Sequence, residues 1–165
     1  MDNREKFDLD TIDKKILSYL IENARIPFLE IAKQCGISGA AVHQRVKKLE
    51  EAGIIEGSGF RINPRQLGYD FCAFIGVYLN SAKQYRDVID KLVVIPEIVE
   101  AHFLTGHYAL LVKLFCLNNT HLMEILLNTI QNIPGVERTE TFISLDQPIY
   151  RQINLETFDN KTPNT

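Results

Sequence analysis

The chain has 165 residues, a mass of 18.9 kDa and a formal net charge of -3. That length allows one mid-sized domain or two small ones. Hydrophobic residues at 45% and charged residues at 24% fit a folded globular chain and exclude wholesale disorder, and the acidic balance excludes a uniformly basic nucleic-acid coat. No apolar run reaches the ~18 residues needed to cross a bilayer, and Met1 to Asp10 is charged with mixed sign, unlike a signal peptide. Cys35, Cys72 and Cys116 lie far apart in apolar or helical stretches, so free thiols in a reducing cytoplasm are expected. The four histidines fall in four different segments, which speaks against a zinc site; no cofactor is expected.

Asp10 precedes a helical pattern in which Ile12, Ile16, Leu17 and Leu20 share one face, ending near Asn23. Pro27 opens a second helix, Phe28 to Gln34, with Ile31 and Ala32 on its apolar stripe. A turn over Cys35 to Ile37 contains Gly36, a left-handed terminator. Ser38 then caps a third helix, Ser38 to Ala52, whose inner face carries Val42, Val46 and Leu49. Helix, short glycine turn, helix is the helix-turn-helix signature.

The outer side of that third helix is chemically specific. Ala40 is small enough to let the backbone approach a surface, and His43 and Gln44 offer donors and acceptors to base edges. Arg45, Lys47 and Lys48 are cations suited to phosphates, and no acid occurs between Gln34 and Leu49. Beyond Gly53, short apolar runs flank Glu56-Gly57-Ser58-Gly59, which predicts a β-hairpin wing with Arg61 in reach of phosphate. Between Arg25 and Ile62 there are six Lys/Arg against four Asp/Glu; from Pro64 onward there are eight against eleven. Only the first part is therefore suited to nucleic acid.

Residues 63–70 have the turn composition of a linker. Beyond it an internal repeat appears: Ile95-Pro96 recurs as Ile133-Pro134, an offset of 38, and Val88, Ile89 and Leu92 recur as Leu126, Leu127 and Ile130. Each unit reads strand, helix, Ile-Pro turn, strand: Phe71 to Leu79, Ala82 to Val93 and Ile98 to Leu104, then Ala109 to Leu117, Thr120 to Asn132 and Val136 to Leu145. Two such halves give a ferredoxin-like βαββαβ domain, so the fold class is α+β. The predicted boundaries are 1–63 for the winged helix-turn-helix domain, 71–155 for the ferredoxin-like domain and 156–165 for a tail. Phe71 to Leu79 is apolar on both faces, which predicts a second copy packed sheet on sheet. The alternative cover is the chain's own Ile149, Ile153 and Leu155.

Leu9-Asp10-x-Ile12-Asp13-x-x-Ile16-Leu17, then Arg25, Ile31-Ala32, Ile37-Ser38 and Arg45-Val46-x-x-Leu49-Glu50-x-x-Gly53-x-Ile55 resembles the leucine-responsive/AsnC (feast/famine) family of bacterial and archaeal transcription regulators. The resemblance implies a cytoplasmic, non-enzymatic regulator that binds double-stranded DNA through its winged helix-turn-helix, and the residues expected at the duplex from the third helix and the wing are Ser38, Ala40, His43, Gln44, Arg45, Lys47, Lys48 and Arg61. It also implies a homodimer, associating to an octamer, with small effectors, usually amino acids, held between dimers. The family's effector loop, T/S-G-D/E-x-D, falls on Thr105, Gly106, His107, Tyr108 and Ala109, and the last strand would add Phe142, Ile143 and Ser144. His107 and Ala109 stand where the family has acids, so an altered ligand or none is expected. Two other readings share this pattern: an architectural DNA-wrapping protein without effector, and an enzyme resembling siroheme decarboxylases.

Overall fold

The structure is a computed structural model that describes residues 7–155. The expected tail, 156–165, lies outside the described residues, as do the first six residues of the N-terminal domain. The described chain divides into two units, one made of 7–61 and 150–155, the other Ile62–Ile149.

In the N-terminal unit, α1 spans Thr11–Glu22, α2 Phe28–Cys35 and α3 Gly39–Glu51. Asp10 and Asp13 form a reciprocal capping box on α1: the Asp13 N–H donates to Asp10 Oδ1 at 2.7 Å and the Asp10 N–H to Asp13 Oδ2 at 3.2 Å. Gly36 ends α2 at φ 68°, where a side chain would be strained. The Ser38 Oγ accepts from the Ala41 N–H at 3.1 Å and starts α3. Ile16, Ile31, Ala32, Val42 and Val46 form the core between the three helices, and Leu9, Leu17 and Leu49 a second cluster beside it. Each buried Val, Leu or Ile among them contributes roughly 1.5–3 kcal/mol.

One expectation changes here. Residues 54–62 form no strand pair: the segment is an extended arm in the wing's place. The amides of Ile54 and Ile55 both turn back to the Leu49 carbonyl, at 2.9 and 3.2 Å, so they finish α3 and are not available to a ladder. On the far side, Phe60 and Ile62 are exposed, and so short a hairpin gains too little burial to persist. The chain returns to the N-terminal unit at Tyr150. Leu155 packs on the Leu9, Leu17 and Leu49 cluster, and Tyr150 lies under the Arg61 guanidinium at 3.7 Å. Ile149 and Ile153 are largely exposed.

The C-terminal unit is the βαββαβ arrangement that the repeat predicts. Its strands are β1 Phe71–Leu79, β2 Ile98–Phe103, β3 Leu110–Cys116 and β4 Val136–Ser144, in the order β2-β3-β1-β4 with every pairing antiparallel. The helices α4 (Tyr85–Leu92) and α5 (Asn119–Asn128) are shorter than their apolar pattern. A 3-10 turn over Ala82–Gln84 precedes α4, and another over Ile130–Asn132 follows α5. Thr129 breaks the second at φ −122°, while the Asn132 side-chain amide donates to the Leu127 carbonyl at 2.9 Å. Ala73, Ile75 and Val77 of β1 join Leu110, Val112 and Leu114 of β3 beneath Val88, Leu92, Leu122 and Ile125.

The other sheet face carries Cys72, Phe74, Gly76 and Tyr78 of β1, in register with Phe142 and Glu140 of β4 and with Lys113 and Leu111 of β3. It is apolar along its middle and charged toward its edge strands. Lys113 reaches Glu100 at 3.4 Å on one side, and Arg138 reaches Glu140 at 3.0 Å on the other.

Candidate nucleic-acid interface and ligand loop

Helix α3 turns Val42, Val46 and Leu49 inward and leaves Ala40, His43, Gln44, Lys47 and Lys48 exposed along one stripe. The 3.6-residue period separates the two sets. His43 stacks edge-on against Phe28, with centroids 4.5 Å apart, which orients the imidazole while its edge stays in solvent. Lys47 pairs with Glu51 at 3.7 Å, but both groups are well exposed, so the pair is weak and exchangeable for a phosphate. Lys48 makes no ion pair among the described residues. At the front of the helix, Ser38 serves as the cap, and a Cβ at Gly39 would lie 3.1 Å from Leu29 Cδ2.

Two expected phosphate ligands make contacts within their own unit. Arg45 does not extend from the stripe: its Nη1 donates to Asp10 Oδ2 at 2.6 Å and to Asp13 Oδ1 at 2.7 Å. Positions 42, 45 and 49 follow i, i+3, i+7, so Arg45 sits on the seam beside the inner face. That spacing was the available signal, and it missed the partners because Asp10 and Asp13 read as cap residues only. Arg61 stacks on Tyr150, and Arg25 lies 4.0 Å over the Phe60 ring. The unpaired arm is thus tethered to its own unit by cation–π contacts.

In the other unit, Thr105, Gly106, Tyr108, His107 and Ala109 form the loop between β2 and β3. Ala109 is committed at both ends: its N–H donates to the Val77 carbonyl at 2.9 Å and its carbonyl accepts from Leu104 at 2.8 Å. Thr105, Gly106 and His107 are exposed. Tyr108 folds back over Gly76 and meets Tyr78 edge-on at 5.9 Å and Phe142 at 6.4 Å. Phe142 and Ser144 share the open face with this ring, whereas Ile143 pairs with Ala73 and faces the helix side. Strand alternation therefore divides the three strand residues expected at one site.

Glu140, two positions before Phe142, was not foreseen. Arg138 and the Tyr78 hydroxyl, at 3.0 and 2.9 Å, hold its carboxyl below the usual glutamate range, and the nearby His107 adds to the effect. It is the carboxylate that this face sets beside the loop whose two family acids are absent. No group of three or more histidine, cysteine or acidic side chains among the described residues is arranged to hold a metal.

The winged helix-turn-helix DNA-binding family matches residues 9–56, and the Lrp/AsnC ligand binding domain matches residues 72–153. The regulatory protein AsnC of Escherichia coli strain K12 is 43% identical over 149 residues, covering 90% of this chain and 98% of that protein. The chain belongs to the Lrp/AsnC family. Within it, the HTH-type transcriptional regulator FL11 of Pyrococcus furiosus is 40% identical over 137 residues, 83% of this chain and 89% of its own. The solved structure of Escherichia coli AsnC superposes with a TM-score of 0.85 at 43% identity, over 89% of this chain and 99% of that one. The transcriptional regulator NMB0573 of Neisseria meningitidis, solved as an L-Met complex, gives 0.82 at 26% identity, over 87% and 94%. Like its Lrp/AsnC relatives, the protein is a DNA-binding transcription regulator with a ligand-binding domain. No helix among the described residues is long and apolar enough to cross a membrane.

Proposed function

We propose that the protein is a sequence-specific cytoplasmic regulator, without enzymatic activity, that acts as a homodimer or a higher assembly of dimers. Its N-terminal domain reads DNA and its C-terminal domain binds an effector and assembles. Each dimer sets two α3 helices into successive major-groove faces of a pseudo-palindromic site, with half-sites about one helical turn, ~34 Å, or a multiple apart. Ala40, His43 and Gln44 contact base edges. Lys47, Lys48 and the Ser38 hydroxyl contact phosphates, and Arg61 contributes from the arm. The observation that carries this reading is the exposed stripe of α3, free of acids from Ala40 to Lys48, opposite a buried apolar face.

The second sheet face, apolar along β1, supports pairing with a second copy. The effector is an amino acid or a close analogue, as the L-Met complex of the Neisseria relative suggests. The amides of Thr105, Gly106 and His107 make no hydrogen bond among the described residues and suit a carboxylate. Tyr108, Phe142 and Ser144 bound the same side.

Selection of bound duplexes from a random pool, with sedimentation of the same sample, tests both halves. A symmetric consensus bound by a dimer or multiple of dimers is expected. Equal affinity for selected and random DNA at physiological salt would replace this reading with the architectural one.

A further inference from the structure

We infer that Arg45 is a positioning residue that sets the rotational phase of the reading helix, and that Asp10 and Asp13 are the fixed points it is set against. The inference deepens the proposed role of α3 and rests on that helix being the reader.

The four oxygens of the two carboxylates are all engaged. Asp10 Oδ1 accepts from the Asp13 N–H and Asp13 Oδ2 from the Asp10 N–H, while Asp10 Oδ2 and Asp13 Oδ1 accept from one Arg45 nitrogen. The result is a closed ring joining the first turn of α1 to the middle of α3 across 35 and 32 residues of chain. Asp13 is 6% exposed, the one buried charged side chain among the described residues. Hydrogen bonds of this length between ionised groups are the strong, directional kind. Both acids also sit at the positive end of α1, where negative charge is stabilised by the helix dipole. Burial pushes Asp10 upward, but the Asp13 amide and Arg45 outweigh it and hold the carboxyl below its ordinary value.

Apolar packing alone does not define such a phase. Val42, Val46 and Leu49 fix the distance of α3 from the core, but hydrophobic attraction is non-directional and tolerates a small roll of the helix. A base-edge hydrogen bond does not tolerate it, since its donor and acceptor must meet within about 2.7–3.2 Å. Arg45 follows Gln44 directly, and Ala41, Gln44 and Lys48 line the same depression as Asp10, Asp13 and Arg45. The ring is therefore built against the part of α3 whose direction matters most for reading.

Asp13→Asn in the full-length chain separates this role from two simpler ones. The substitution removes a negative charge beside the DNA-facing stripe and breaks the ring on the Asp13 side, leaving Arg45 held by Asp10 alone, so electrostatics alone predicts tighter binding to every duplex. Positioning predicts instead that the ratio of affinities for a selected site and a random duplex falls roughly tenfold or more, about the discrimination of one good base contact. Affinity for the random duplex is expected to hold or rise. Partial unfolding lowers both affinities together and cancels in the ratio, which is why the ratio is read. An unchanged ratio, whether both affinities rise or both fall, overturns the inference. Gln44→Ala is run beside it. If that variant loses discrimination while Asp13→Asn keeps it, the helix reads but the ring does not aim it. If neither variant loses discrimination, the reading of α3 fails and the ring's role fails with it.

Discussion

Gly76→Ala drives a methyl group into the ring of Tyr108. An ideal Cβ at position 76 lies 2.7 Å from Cδ1, 2.8 Å from Cγ and 3.0 Å from Cε1 of that ring. Unstrained carbon contacts sit near 3.5–4.0 Å, so the shortfall is close to 1 Å. One of the three atoms is Cγ, at the root of the ring, so a flip about the last torsion does not clear it. The ring must swing away and forgo its contacts with Tyr78 and Phe142, each worth about 0.5–1.5 kcal/mol. Overpacking of this kind costs about 1–3 kcal/mol in total. In a Tyr108→Ala background the obstacle is gone, and alanine is then favoured over glycine in a strand by ~0.5–1 kcal/mol. The same substitution should therefore destabilise the native chain and stabilise the Tyr108→Ala chain, a coupling of about 1.5–4 kcal/mol. Thermal unfolding of the four proteins at one fixed concentration measures it, at ~4–8 °C per kcal/mol for a unit of this size. Equal destabilisation in both backgrounds would refute the close approach as the reason for glycine.

Other outcomes follow from the same geometry. Lys47→Ala and Lys48→Ala should each weaken binding to all sequences alike and reduce the slope of log affinity against log salt by ~0.9, as loss of one phosphate contact requires; a sequence-dependent loss would move that lysine to base reading. Gln44→Ala should lower discrimination between sites by ~1–3 kcal/mol while leaving the salt slope intact. The folded-state value of Asp10 is depressed, so its contribution is complete above the unfolded aspartate value of ~3.9 and disappears as pH falls through the lower folded one. Asp10→Asn should accordingly be less stable at pH 7 and lose less stability below about pH 4, and an unaltered acid profile counts against the ion pair. Burial pushes the Cys116 thiol up to about 11, with Glu97 and Cys72 adding to it. Iodoacetamide should alkylate Cys116 only after unfolding, and rapid labelling of the native chain would contradict that placement.

Much of the fold was legible because its signals are local. Asp10, Gly36 and Ser38 mark helix ends through bonds within a few residues, and the period of Val42, Val46 and Leu49 names the buried side of α3. The Ile-Pro repeat located both halves of the sheet domain, since the same turn serves the same crossover twice. The hairpin within the wing was misread for the same reason that the helices were read well. Apolar runs around glycines describe a hairpin's ends, but its ladder depends on where the backbone amides point, and those of Ile54 and Ile55 point back to Leu49.

The chain's own order of residues determined the class of protein, the two kinds of domain and the face of α3 that meets solvent, because periodicity and capping are properties of neighbouring residues. Tertiary structure alone decided that Arg45 belongs to Asp10 and Asp13, and that Glu140 stands beside the ligand loop. Each of these is a meeting of side chains far apart in the chain. A cation looks the same in sequence whether it will hold a phosphate or two carboxylates. The difference is a matter of direction and distance, which exist only once helices and strands are packed.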